Sequence, residues 1–254
     1  MKKIFIIILL LMPPAFAAPE LNNKTGKYEE LFFKANQLYR DGKYENALNA
    51  YLEVLGSGYE SGDLYYNMGN ACYRLKMTGH AVLYYERARA FIPRDADLDF
   101  NLRYVKKQTV DAVDAPSDII STILFWSGYM TRDELLVLFF IVNFLFWSAL
   151  VLRLYFKKEW TYYLPVILLV LWFSSACTFG WKHFSEANDK RAVILAEETD
   201  VLSGPDSRET VLFKLHGGTI IIQENAEDEW KLIRLPDNKR GWIRDNTAET
   251  IKPK

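Results

Sequence analysis

The chain has 254 residues, enough for one large domain or several small ones. Its 31 Lys and Arg balance 32 Asp and Glu, so no basic field marks a nucleic-acid partner. Two cysteines, Cys72 and Cys177, make no disulfide framework and read as small buried hydrophobes; with His80, His183 and His216 they show no metal-ligand spacing.

The start of the chain reads as a targeting segment. Lys2 and Lys3 precede an apolar stretch, Ile4 to Met12, and Ala15-Phe16-Ala17 supplies a small-x-small cleavage pattern. The stretch is too short to span a bilayer, which takes about 20 apolar residues. Residues 1–17 are therefore expected to be a cleaved secretory signal.

Residues 28–112 carry an internal period. At an offset of 34, Asn36 falls on Asn70, Tyr39 on Tyr73, Arg40 on Arg74, Ala47 on Ala81 and Tyr51 on Tyr85. Small and aromatic residues recurring at that spacing are the mark of tetratricopeptide repeats, each a helical hairpin that buries its apolar face on a neighbour. Ala35, Ala47, Gly69 and Ala81 are expected to let helices approach, with Tyr51 and Tyr85 filling the space between repeats. A further helix from about Asp95 to Val110, striped by Leu98, Leu102 and Val105, is expected to cap the stack.

Residues 111–118 form a polar linker, and 119–130 an aromatic segment suited either to the membrane interface or to packing on the repeats. Two stretches follow that are long and apolar enough to cross a bilayer, 135–156 and 162–181. The short connection makes them an antiparallel hairpin. Arg153, Lys157 and Lys158 at that connection place it in the cytosol by the positive-inside rule, with both flanking domains periplasmic. Asn143, mid-span, is expected to bond Ser174 or Ser175.

From 189 to 254 the pattern turns to short β-branched and aromatic runs broken by Gly204-Pro205, Gly217-Gly218 and Pro236-Asp237-Asn238. That is the signature of a small all-β barrel. Its Ser203-Gly204-Pro205, Gly218-Thr219, Trp230 and Gly241-Trp242-Ile243 series resembles a bacterial SH3 domain. The fold expected is thus a multidomain membrane protein: an all-α tetratricopeptide array, a two-helix transmembrane hairpin and an SH3-like barrel.

That order of parts, over nearly the whole chain, resembles the E-type branch of the Bacteroides aerotolerance (Bat) family, whose capping helix the segment 95–111 also resembles. The resemblance implies an inner-membrane protein of the Gram-negative envelope. It also implies assembly with von Willebrand factor A-type Bat proteins and a MoxR-type ATPase system, in a complex tied to aerotolerance and stress.

No nucleophile–base pair, phosphate loop or metal motif is present, so neither catalysis nor a cofactor is expected. Binding is. In such arrays the first helix of each repeat lines a concave groove, here Phe32, Asn36, Tyr39 and Arg40, then Tyr66, Asn70, Tyr73 and Arg74. The two asparagines offer amides that can hold a peptide backbone or merely solvate the fold. The pattern partly resembles arrays that clamp a C-terminal carboxylate, but Phe32 stands where those carry lysine, which favours an internal peptide or a domain surface. Trp230 and Trp242 are the candidate ligand face of the barrel, for peptidoglycan, or else its core, which is favoured for Trp242.

Overall fold

The computed structural model describes residues 19–111, 122–156 and 158–252. The expected signal, most of the linker and Lys157 lie outside the described residues. Seven α-helices and seven strands are described. Five helices come first: α1 (Pro19–Arg40), α2 (Tyr44–Gly56), α3 (Gly62–Arg74), α4 (Thr78–Phe91) and α5 (Ala96–Lys106).

Local chemistry fixes where these helices start and stop. Ser61 caps α3 by accepting from the Leu64 N–H, and Asp95 caps α5 by accepting from the Leu98 N–H at 2.7 Å. Between α1 and α2 the chain turns through Gly42 at φ 77°, a conformation that side chains disfavour. The expected small residues lie in the core: Ala35, Ala47 and Ala81 are fully buried, with Tyr51 and Tyr85 beside them. Gly69 is needed for close approach, because a Cβ there would lie 2.5 Å from the Tyr85 ring.

A 3-10 turn, Phe125–Tyr129, leads into two long apolar helices, α6 (Arg132–Tyr155) and α7 (Trp160–Ala187). Both are long and apolar enough to cross a membrane. They pair antiparallel, with Ala149, Ser175 and Thr178 among the few residues buried between them. A capping box of Thr131 and Glu134 starts α6. The expected bond from Asn143 to Ser174 or Ser175 is not formed. Ser175 instead donates to the Trp172 carbonyl at 2.8 Å, the self-satisfying bond that a helical serine can always make. Cys177, expected to be buried, is exposed on α7.

The C-terminal residues form one antiparallel sheet of β1 (Arg191–Ile194), β2 (Glu198–Leu202), β3 (Val211–His216), β4 (Ile220–Glu227), β5 (Trp230–Arg234), β6 (Arg240–Arg244) and β7 (Ala248–Thr250). The strand order is β3-β2-β6-β5-β4-β1-β7. Its core is Ala192, Ile194, Val201, Leu215, Ile221, Ile233 and Ile243, with Leu235 and Ala248.

The sheet does not stand apart from the helices. Val193 and Ile251 belong to the helical core cluster, and Leu195 and Ile220 pack against it. A side chain at Gly79, in the first turn of α4, would collide with the Ile194 carbonyl oxygen. Arg87 of α4, only 7% exposed, donates to the carbonyls of Ile251 (2.9 Å) and Thr250 (2.8 Å) and to Glu249 Oε1 (2.7 Å). Asp111 completes the junction by accepting from the His216 N–H at 2.7 Å and from Thr219 Oγ1 at 2.9 Å.

Candidate functional site: helical face and outer sheet face

The residues of the expected groove lie on α1 and α3, and the period of the sequence reappears there, and on into α5, as a ladder of hydrogen bonds. Asn36 Oδ1 accepts from Tyr51 OH at 2.7 Å and from Asn67 Nδ2 at 3.0 Å. One repeat on, Asn70 Oδ1 accepts from Tyr85 OH at 2.7 Å and from Asn101 Nδ2 at 3.2 Å. Each asparagine oxygen thus satisfies the hydroxyl of a tyrosine that is 1% exposed, a group that would otherwise be orphaned in the core. The Asn36 Nδ2 group is not used in these bonds, while the Asn70 side chain also donates to the Tyr66 hydroxyl in the cleft. Burial pushes the Tyr51 and Tyr85 hydroxyls far above the ordinary phenol range, so both act as neutral donors.

Tyr39, Tyr66, Asn70, Tyr73 and Arg74 meet in one cleft of about 350 Å³, joined by Tyr85, Asn101 and Tyr104. Phe32, Asn36 and Arg40 lie outside it on the preceding repeat. Phe32 packs on Tyr51 with ring centroids 5.9 Å apart, and Tyr66 repeats that contact on Tyr85 at 5.9 Å. The exposed Arg40 and Arg74 guanidiniums sit over the rings of Phe33 and Tyr44 rather than against carboxylates. Asn67, Asn101, Tyr104 and the exposed Phe100 also shape this face. None of them falls at an expected groove position, although the same offset of 34 carries Asn67 onto Asn101 and Tyr66 onto Phe100.

On the sheet, Ile233 and Ile243 point into the core, so by strand alternation Leu232 and Trp242 point to the opposite face. Trp242 lies across from Leu232 and Leu202, and Trp230 across from Arg244, whose guanidinium sits 5.0 Å from the indole centroid. Both tryptophans are half-buried and neither joins the sheet core. The expectation of Trp242 as core is thereby corrected. The run Arg240-Gly241-Trp242-Ile243 can alternate in either phase, and the isoleucine takes the inner position.

Among the described residues, no group of three or more His, Cys, Asp and Glu side chains forms a metal cluster. Burial pushes the Cys72 thiol up to about 12, which removes it as a nucleophile at neutral pH. Comparison with family profiles and with curated proteins returned no match for this chain.

Proposed function

We propose that the chain is a non-catalytic adaptor of the Bat type, a tetratricopeptide array and an SH3-like domain held on the periplasmic face of the inner membrane by the α6–α7 hairpin. The array grips a protein partner on its concave face. The partners implied by the resemblance are the von Willebrand factor A-type Bat proteins and, through them, the MoxR-type ATPase system.

The observation that carries this reading is the pair of Asn36 and Asn70, whose oxygens are committed to Tyr51 and Tyr85 while the Asn36 amide is uncommitted and the Asn70 amide is turned to the Tyr66 hydroxyl lining the cleft. Their matched places on consecutive repeats suit an extended peptide crossing both. The sheet packs on Gly79 and Arg87 of α4, which leaves α1, α3 and α5 accessible.

Asparagine-to-aspartate substitution tests it without disturbing the core. Asn36→Asp with Asn70→Asp keeps the acceptor for each tyrosine and removes both amide donors. Two interfacial hydrogen bonds at about 1 kcal/mol each give roughly a tenfold or greater loss in affinity for a purified von Willebrand factor A-type Bat protein. Asn36→Ala with Asn70→Ala should lose the same binding and also destabilise the fold, since each buried hydroxyl left unpaired costs about 1–3 kcal/mol. Undiminished binding by the folded aspartate variant would leave the asparagines a purely structural role.

A second reading rests on the half-exposed Trp230 and Trp242, with Arg244 over Trp230. These offer aromatic faces to a glycan or stem peptide of the cell wall. Saturable co-pelleting with purified peptidoglycan, lost in Trp242→Ala, would favour it.

A further inference from the structure

A second cleft, of about 820 Å³, lies where the array, the hairpin and the sheet meet. One wall is α4, with Glu86, Arg89 and Phe91. The others are the start of α6 at Thr131–Asp133, the end of α7 at 182–187, and the C-terminal Ile251-Lys252. Both hairpin ends in this cleft fall just beyond the apolar runs 135–156 and 162–181, so in a bilayer the cleft sits at headgroup level. Phe91 lines it, and the exposed Tyr129 (60%) and Phe184 (61%) follow its lining residues Gly128 and His183 in the chain, the residue type that occupies the membrane–water boundary.

The charges inside it are mixed. Six cationic and five acidic side chains line the cleft. Arg89 is held at 2.6 Å by Glu86, which is buried and also holds Lys106. Burial alone would raise the Glu86 pKa, but Arg89, Lys106 and Arg191 outweigh it and keep the carboxylate charged. Opposite, Lys182 donates to the Ser127 carbonyl and stands 3.6 Å from Glu186, while Arg132 has only a 3.9 Å contact with Asp133. A lining so nearly balanced disfavours a polyanion. It matches a ligand that carries one phosphate and one ammonium.

We infer that this cleft holds the headgroup of an aminophospholipid, its phosphodiester on Arg132, Lys182 and Arg89 and its primary ammonium on Glu186 and Glu60. A primary ammonium donates hydrogen bonds to carboxylates, which a choline cannot, so ethanolamine-type lipid is selected over choline-type. A purely anionic glycerol headgroup brings no ammonium for Glu60, and none for Glu186 once Lys182 turns from it to the phosphate. The inference rests on the hairpin lying in a bilayer.

The test uses the full chain in nanodiscs of phosphatidylcholine doped with phosphatidylethanolamine and phosphatidylglycerol. Lipids retained after gentle detergent release are counted by native mass spectrometry. Phosphatidylethanolamine is expected to be retained about tenfold over either competitor, a difference of roughly 1.4 kcal/mol. Arg132→Gln with Lys182→Gln should abolish retention. Glu186→Gln, at a half-exposed position with little consequence for folding, should erase only the preference over phosphatidylcholine. Equal retention of the three lipids overturns the proposal, as does a preference that survives in both variants. Displacement of the lipid by millimolar inorganic phosphate would show a plain anion site and also overturn it. Release of the chain from membranes by alkaline carbonate would overturn the bilayer reading itself, and the site with it.

Discussion

Arg87 is the test of whether the sheet and the helices act as one body. The residue is 7% exposed, its guanidinium makes three bonds to β7 and the residue after it, and the guanidinium carbon lies 5.9 Å from the Tyr65 and Tyr84 ring centroids. Arg87→Met keeps much of the stem and removes the three donors. The Glu249 carboxylate is 49% exposed, so the ion pair itself contributes at most about 1 kcal/mol after screening. The carbonyls of Thr250 and Ile251 lose a charged donor worth about 1.5–3 kcal/mol each, partly recovered by water. A net cost near 3 kcal/mol corresponds to roughly a 100-fold rise in the undocked fraction. Ile251, 5% exposed, reports this when changed to cysteine, because a thiol there reacts only when the sheet leaves the array. Comparing labelling of Ile251→Cys with and without Arg87→Met cancels the cost of the cysteine itself. Rates within twofold of each other would show that Arg87 does not hold the junction.

The junction should also weaken in acid. His80 faces Glu249 there, and burial depresses its pKa despite that carboxylate's opposite pull. Undocked, the imidazole titrates near its ordinary value of about 6.5, so it binds protons that the docked form refuses. Docking is therefore strongest above about pH 6.5 and declines below it. His80→Gln should flatten that dependence in the Ile251→Cys labelling assay, and an unchanged slope would assign it elsewhere. Topology has its own check. Gln37→Cys on α1 and Ser207→Cys in the turn between β2 and β3 should react alike with a membrane-impermeant maleimide applied to intact cells, while Lys158→Cys between the spans stays protected. Opposite behaviour of Gln37→Cys and Ser207→Cys would break the hairpin.

The period of 34 was legible because small and aromatic side chains had to recur wherever two helices touch, as at Gly69 against Tyr85. The ladder behind it was not. Asn36 meets Tyr51 and Asn67 at separations of 15 and 31 residues, which are no period of one helix and arise only when three helices pack. Trp242 failed for a related reason: alternation names two faces of a strand but not which one is inside, and Ile233 and Ile243 decided it. The junction left the faintest trace. Its parts lie at 79, 87, 111, 216–219 and 249–251, and only the glycine in the first turn of α4, a poor helix former, hinted that another backbone approaches there.

That junction gives the hairpin a second meaning. The chain leaves the array after Asp111, passes through both apolar helices, and returns to begin β1 at Arg191. Asp111 is already bonded to His216 and Thr219 of the sheet, so the segment between is an excursion from a pre-formed contact rather than a tether between free domains. Closing a long loop costs only about 0.6 kcal/mol more per doubling of its length, so shortening it changes docking little. A version joining residue 111 to residue 189 through about 20 Gly and Ser residues has an r.m.s. reach of roughly 25 Å, comparable to the width of a small domain. It should be a soluble monomer in which Ile251→Cys stays protected and Arg87→Met exposes it, as in the full chain. A soluble product whose Ile251→Cys labels at the rate of an unfolded peptide would mean that the bilayer, not the Arg87 and Asp111 contacts, brings the sheet to the array.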